Sequence, residues 1–348
     1  MYDLTSIQPH KVSRDLKGYT IFVYGAPKVG KTTTAVKFPR NILFGFEKGY
    51  NAIPNIKAIP INNWADALGW QSSLLRDAQK AKIALDKDPN CGAEQQFFTV
   101  TIDTADVAFD FCEKYVCSQN GVNSIGEVPY GAGWKMLEKE YDNFFRRFVD
   151  AGYGLIIISH DKVATIKDEN GNEYQKIRPT LGSTSRKIVN RLCDIIGYIQ
   201  PVTEKGEHGE EINHSYMFLR GTSKWEAGSR FKYMEPYIEF NYTNLVNAIH
   251  DAIDKEAENG NADFITDERN TTTTKAINFD EIYKQTFDLI QKTIEYDEKY
   301  AEVVSEIVER YFGVGKFLKD ATRLQAEQVA MVFYDLNSYI EDNGIKLS

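Results

Sequence analysis

Residues 25–32 read Gly25-Ala26-Pro27-Lys28-Val29-Gly30-Lys31-Thr32, with Thr33 next in line. This GxxxxGK[ST] spacing serves phosphate chemistry. Glycines at both ends let backbone N–H groups turn inward without a Cβ in the way, and a following helix adds the positive end of its dipole. Lys31 is the group that reaches the β- and γ-phosphates, the Thr32 hydroxyl is a ligand for magnesium, and Thr33 is placed to meet the α-phosphate. The expected occupant is ATP with Mg2+. Apolar TIFVY before the motif and TTTAVKF after it supply the strand–loop–helix setting that separates a phosphate cradle from a plain glycine turn.

Three more residues fit the same chemistry. Asp103 ends the run FFTVTID; an acid at the end of a neighbouring strand is the second magnesium group, the Walker B position. The competing role for it is a helix N-cap, for which Thr104 is equally suited. Glu47 ends NILFGFE, the strand after the phosphate-loop helix. It is placed to orient or deprotonate an attacking water, at the carboxyl edge of the sheet where ligands bind in open α/β folds; otherwise it is a solvated loop glutamate. His160 ends GLIIISH and faces the same edge, either as a sensor of the γ-phosphate or as a satisfied loop histidine.

These side chains need a scaffold, and the pattern supplies one. The first 240 residues alternate short apolar runs with helical periodicity, the rhythm of an α/β domain with a mostly parallel central sheet. Strands are expected at 20–24, 42–46, 98–102 and 155–159. Trp134, Leu137, Tyr141, Phe144, Phe145 and Phe148 recur at helical spacing, as core rather than as a base-stacking platform. Apolar runs at 195–199 and 216–219 flank the polar stretch VTEKGEHGEEINH, which predicts a terminal β-hairpin. Residues 1–250 thus form the core domain. Residues 251–278, centred on the acidic, aperiodic stretch DKEAENGNADFITDERNTTTT, are expected to be a flexible linker. A small α-helical domain occupies 279–348, where Ile282, Leu289, Ile294, Val303, Val304, Ile307, Tyr311, Val329 and Val332 fit two or three amphipathic helices and Gly313 and Gly315 mark a break.

The 348 residues are 42% hydrophobic, enough for one full core and something smaller. The net charge of -9 is unevenly spread: residues 241–348 hold 21 acidic against 11 basic side chains, leaving 29 acidic and 30 basic before them. A local basic groove on the first part is therefore compatible with the overall acidity. No apolar stretch approaches the roughly 18–20 residues of a membrane span, and the first residues lack the apolar region of a secretory signal. The expected location is the cytoplasm, that of a bacterial host. Cys91, Cys112, Cys117 and Cys193 show neither CxxC pairing nor histidines at zinc-ligand spacing, so reduced, mostly buried thiols are expected.

The order of these parts resembles the RecA-like P-loop ATPases, and more closely the RecA-like ATP-binding proteins of phage recombination modules that act with single-strand annealing. The resemblance covers about residues 18–240. It implies that Glu47 is the catalytic glutamate, since in that family this group follows the strand after the phosphate-loop helix. It places His160 where the family usually has a glutamine as γ-phosphate sensor. By position it maps DNA-contacting loops onto 118–134 and 161–187, the second holding Lys162, Lys167, Tyr174, Lys176, Arg178, Arg186 and Lys187. It also implies that Arg220, closing the second hairpin strand, reaches the nucleotide of an adjacent subunit, with Lys224 and Arg230 as the other candidates. A ring or filament on single-stranded DNA follows, with the acidic helical tail free to dock a single-strand-binding protein. A replicative helicase or helicase loader, and a nucleotide-gated binding scaffold with little turnover, are the competing expectations.

Overall fold

The computed structural model describes residues 12–205, 211–260, 265–266 (as backbone) and 278–347. The chain divides into two compact units, one spanning His10–Thr273 and one built from Thr274–Ser348. In the larger unit a two-residue strand, β1 (Val12–Ser13), precedes β2 (Thr20–Gly25), which leads through the phosphate loop into the short helix α1 (Lys31–Ala35). Then come β3 (Asn41–Gly45), β4 (Ala58–Pro60) and the long helix α2 (Trp64–Lys87). After these, β5 (Thr99–Asp103), α3 (Ala105–Gln119), α4 (Ala132–Asp150) and β6 (Gly154–Ser159) follow in turn. The ribbon of β7 (Asp161–Lys167) and β8 (Glu173–Pro179) leads to α5 (Ser183–Leu192). The unit closes with β9 (Ile195–Lys205), β10 (Glu211–Phe218), β11 (Gly228–Ser229), β12 (Tyr237–Glu239), α6 (Tyr242–Glu258) and β13 (Ile265–Thr266), which pairs with β1.

The central sheet has the order β12-β10-β9-β2-β6-β5-β3-β4, with β11 on β9. From β9 across to β4 every pairing is parallel; among the described strands of this sheet β10 and β11 run against it, and β12, antiparallel to β10, runs with it again. Every residue of β2, β5 and β6 is buried. These strands are covered on both faces and so read as unbroken apolar runs rather than alternating ones. Successive side chains still alternate between layers. Phe22 and Tyr24 point into one core with Phe44, Ile102 and Ile157, whereas Ile21 and Val23 point into the other with Ile158, Leu245 and Ile249.

The first layer is aromatic. Trp64 and Phe144 lie with ring centroids 4.6 Å apart, and Phe44 meets Phe148 edge-to-face at 5.8 Å; such pairs add about 0.5–1.5 kcal/mol each beyond burial. The Tyr141 hydroxyl donates to the carbonyl of Ala105 at 2.8 Å, which fixes α4 against the start of α3. One member of the expected stripe falls outside it. Trp134, at the start of α4, is 50% exposed, because its turn lies beyond the layer that Leu137 and Tyr141 join.

Three boundaries differ from expectation. The hairpin strands are longer than their apolar runs: β9 continues to Lys205 and β10 begins at Glu211, because cross-strand pairing holds polar residues as well. The segment 161–179 is a paired ribbon rather than an irregular loop. The linker expected from residue 251 starts later, since α6 runs to Glu258 with Ala252 and Ile253 buried in the second core. Of the remainder, 261–264 and 267–277 lie outside the described residues.

The smaller unit is helical: α7 (Phe279–Tyr296), α8 (Ala301–Phe312) and α9 (Ala326–Asp342). Asn278 caps α7 by accepting from the amides of Asp280 and Glu281, and Gly313, at φ 97°, ends α8 in a conformation that favours glycine. Val304, Ile307, Val332 and Leu336 form one buried cluster, and Ile282 with Val329 another. All four cysteines are free, with Cys112, Cys117 and Cys193 buried and Cys91 exposed. Phe148 is fully buried and touches Phe44, Phe144 and Tyr153. Phe148→Ala is therefore expected to lower stability by about 3–5 kcal/mol, read as a shift in the midpoint of urea unfolding.

Candidate functional site

The register of the sheet brings the ends of four strands to one level. Gly25 sits opposite Ile199, Tyr24 opposite Ser159, and Gly45 opposite Asp103. Gly25 is required there by space: a Cβ would lie 2.2 Å from the carbonyl oxygen of Ile199 on β9. Further along the loop, Lys28 and Gly30 adopt left-handed backbone at φ 68° and 89°. The chain thus curls into a loop that Gly30 closes as the N-cap of α1.

Lys31 is buried at 6% exposure, and its ammonium donates to the carbonyls of Gly25 and Ala26, each at 2.7 Å. Burial lowers its pKa; the nearby carboxylates, Asp103 foremost, oppose that shift. The Thr32 hydroxyl donates to Asp103 Oδ2 at 2.7 Å. Asp103 has its pKa raised, first by burial, against the lowering effect of that hydrogen bond. The N-cap alternative for Asp103 falls away, because it is the last residue of β5 and its carboxylate is turned to the phosphate loop.

Asp103 also holds the next strand. Its carbonyl accepts from the amides of Phe46 at 2.8 Å and Glu47 at 3.1 Å. Glu47 is then gripped at its side chain, where the Thr104 hydroxyl donates to Oε1 at 2.8 Å and His160 Nε2 lies 3.4 Å from Oε2. Thr104 occupies the N-cap position of α3 but makes no side-chain cap bond. Its hydroxyl serves Glu47 instead, a role that its value as a capping residue conceals in the sequence. Gly25, Ala26, Pro27, Lys28, Val29, Gly30, Lys31, Thr32, Thr33, Glu47, Asp103 and His160 thus share one edge.

The expected trans group stands apart. Arg220 follows β10, and its Nη2 donates to the carbonyls of Lys232 at 2.8 Å and Met234 at 3.2 Å. Arg230 bonds Asp194 at 2.9 Å and the carbonyl of Arg191 at 2.7 Å. Four of the cations expected to face DNA are engaged as well: Lys162 donates to the Thr180 carbonyl at 3.1 Å and Lys167 is 3.4 Å from Glu173. Arg178 Nε is 2.7 Å from Glu226 Oε1, though its N–H is not aimed at that oxygen, and Arg186 is 3.9 Å from Oε2.

Among the described residues no cluster of three or more His, Cys, Asp or Glu is arranged to hold a metal. Magnesium is commonly held in protein sites through one or two side chains, with water and phosphate oxygens completing the shell; here Thr32 and Asp103 would be those groups. The inward-curling loop and the buried ammonium fit a nucleoside triphosphate. Fold and site together define a P-loop nucleoside triphosphatase of the α/β class. Residues 17–231 match the AAA domain family, and the chain belongs to it.

One relative is the SPβ prophage-derived uncharacterized protein YorG of Bacillus subtilis (strain 168), 25% identical over 345 residues, covering 98% of this chain and 99% of that one. Among solved structures, the flagellar accessory protein FlaH of Methanocaldococcus jannaschii is similar at 12% identity and a TM-score of 0.29, over 65% of this chain and 85% of that chain. No helix among the described residues is long and apolar enough to cross a membrane.

Because burial raises the folded-state pKa of Asp103, its ionisation opposes folding. The cost is absent below its ordinary value of 3.8 and grows as pH rises through that value toward the raised one. Asp103→Asn keeps an acceptor for Thr32 and removes that charge. Its nucleotide-free melting temperature at pH 7 is expected to equal or exceed that of the parent, while affinity for Mg2+-nucleotide falls at least about tenfold, read by calorimetric titration.

Proposed function

We propose that the protein is an ATPase acting on single-stranded DNA as an oligomer, promoting annealing or strand exchange in phage recombination. The observation that carries the hydrolytic part is Glu47, held by Thr104 and facing His160 one strand from the Thr32–Asp103 pair. A carboxylate so placed orients a water for in-line attack and takes up its proton. Lys31 leaves the Gly25 and Ala26 carbonyls for the phosphate oxygens, and His160 reports on the γ-phosphate end. Bound magnesium supplies charge neutralisation on those oxygens.

The DNA part is supported by the resemblance to RecA-like ATPases of phage recombination, by the prophage origin of YorG, and by exposed aromatics on the expected contact segments. Tyr130 is fully exposed, Trp134 is 50% exposed and Tyr174 is 37% exposed. Exposed rings beside cations such as Lys162, Lys176 and Lys187 are what sequence-tolerant stacking on single strands uses. Arg220, as the trans finger, would exchange its two carbonyl acceptors for phosphoryl oxygens of a neighbouring copy. Lys224 is the competitor, since its ammonium alone among the three candidates has no partner within the described residues.

The test is ATP turnover with and without single-stranded DNA. Glu47→Gln is expected to lower kcat by about 10²–10⁴-fold with nucleotide affinity within about threefold; normal turnover in that variant overturns the assignment of the base. In the same preparation, complementary strands are expected to anneal faster with ATP. Unwinding of a forked duplex instead identifies a helicase. ATP-dependent DNA binding with negligible phosphate release identifies a nucleotide-gated scaffold.

A further inference from the structure

His160 has a weak hold on its own position. Among the described residues its imidazole has one polar partner, Glu47 at 3.4 Å, and its Nδ1 is buried with no hydrogen-bond partner. The sheet gives little help, because the pairing of β2 with β6 ends at Tyr24 and Ser159, one residue earlier. What aims the imidazole must therefore act on the backbone around residue 160.

Asp106, in the first turn of α3, does so. Its Oδ1 accepts from the hydroxyl of Ser159 at 2.6 Å and its Oδ2 from the hydroxyl of Thr180 at 2.9 Å. The two hydroxyls lie 3.1 Å apart. Ser159 is fully buried and immediately precedes His160. Thr180 immediately follows β8, and its amide donates to the His160 carbonyl at 2.9 Å. One carboxylate thus closes the base of the β7–β8 ribbon and fixes the residue that faces Glu47. A carboxylate accepting two hydroxyls makes strong, short, charge-assisted bonds, and it stands on the same helical turn as Thr104, which holds the other oxygen of Glu47.

We propose that Asp106 is a positioning residue for hydrolysis, clamping Ser159 and Thr180 so that His160 stays aimed at Glu47 and so that displacement of the ribbon base reaches the catalytic edge. This rests on the ATPase reading above. A merely structural role is the competing account, since an acid in the first turn favours a helix through its dipole.

The experiment compares Asp106→Ala, Asp106→Asn and Thr180→Val in the full chain. Asp106→Ala is expected to lower kcat for ATP at least about tenfold with KM within about threefold. Asp106→Asn restores most of the rate, because one hydroxyl can donate to the carboxamide oxygen while the other accepts from its nitrogen. Thr180→Val, which leaves the α3 turn intact, lowers kcat as well, and combined with Asp106→Ala its effect is less than additive.

Hydrogen exchange is the second readout: faster exchange at the Thr180 amide and the ribbon base in Asp106→Ala, with unchanged exchange in the centre of the sheet. Unaltered kcat and unaltered exchange at Thr180 overturn the proposal, as does a loss of rate that only tracks a global loss of stability. If Asp106→Ala does not fold, Asp106→Asn and Thr180→Val decide it by the same criteria. A parent protein without ATP turnover refutes the proposed function, and the exchange measurement then still decides whether Asp106 holds the ribbon base.

Discussion

The site depends on Asp103 being bound at both of its ends. Its carboxylate takes the Thr32 hydroxyl and its carbonyl takes the amides of Phe46 and Glu47. One residue therefore sets the distance between the group that would hold magnesium and the group that would move the proton. The two amide bonds require β3 and β5 to lie side by side in register, Gly45 against Asp103. The aromatic layer beneath them secures this. Phe44 packs on Phe144 and Phe148, and Phe46 on Trp64 and Phe111, so sliding β3 by one residue would turn that whole face away from its core.

Placing β6 between β2 and β5 adds the other half of the geometry. Were β5 paired directly with β2, His160 would have no place at this edge. With β6 inserted, His160 emerges between the phosphate loop and Asp103 and meets Glu47 across it. The same strand continues at once into the β7–β8 ribbon, which is tied to the segment after β10 by the Ile177 amide and the Lys224 carbonyl at 2.7 Å. Further on, Glu226 exchanges backbone bonds with the Tyr24 hydroxyl at 2.6 and 3.1 Å, next to Gly25. The ribbon is thus connected through the 224–226 segment to the end of β2, where the phosphate loop begins.

Much of this was legible in residue order. Phosphate binding needs glycines, a lysine and a hydroxyl at fixed intervals, so 25–33 stand out, and an acid ending an apolar strand marked Asp103 and Glu47. Contacts made by residues with many uses did not show. Thr104, Asp106, Ser159 and Thr180 are ordinary capping and turn residues, and nothing in their spacing says that the first bonds Glu47 or that the other three bond one another across three elements. The ribbon was hidden because its strands are half-exposed and their polar residues break any alternation. Arg220 shows the converse limit: its place after the hairpin was readable, but which carbonyls its guanidinium meets depends on the path of 232–234.

Charge at such a site would favour a metal-bound nucleotide over a bare one. Lys31 is the buried cation of the loop, and Asp103, Asp161, Asp106 and Glu47 all act on it. A triphosphate brings about four more negative charges into this field. Coulomb repulsion at the 4 Å scale is about 4 kcal/mol per pair at an effective dielectric of about 20. A divalent cation held by Thr32 and Asp103 would supply the opposing charge, offsetting the desolvation cost of the Asp103 carboxylate and freeing Lys31 to exchange its carbonyls for phosphate oxygens. Burying Asp103 and Lys31 opposes their ionisation in the empty protein, and the same burial would favour the metal-chelated ligand over the bare one.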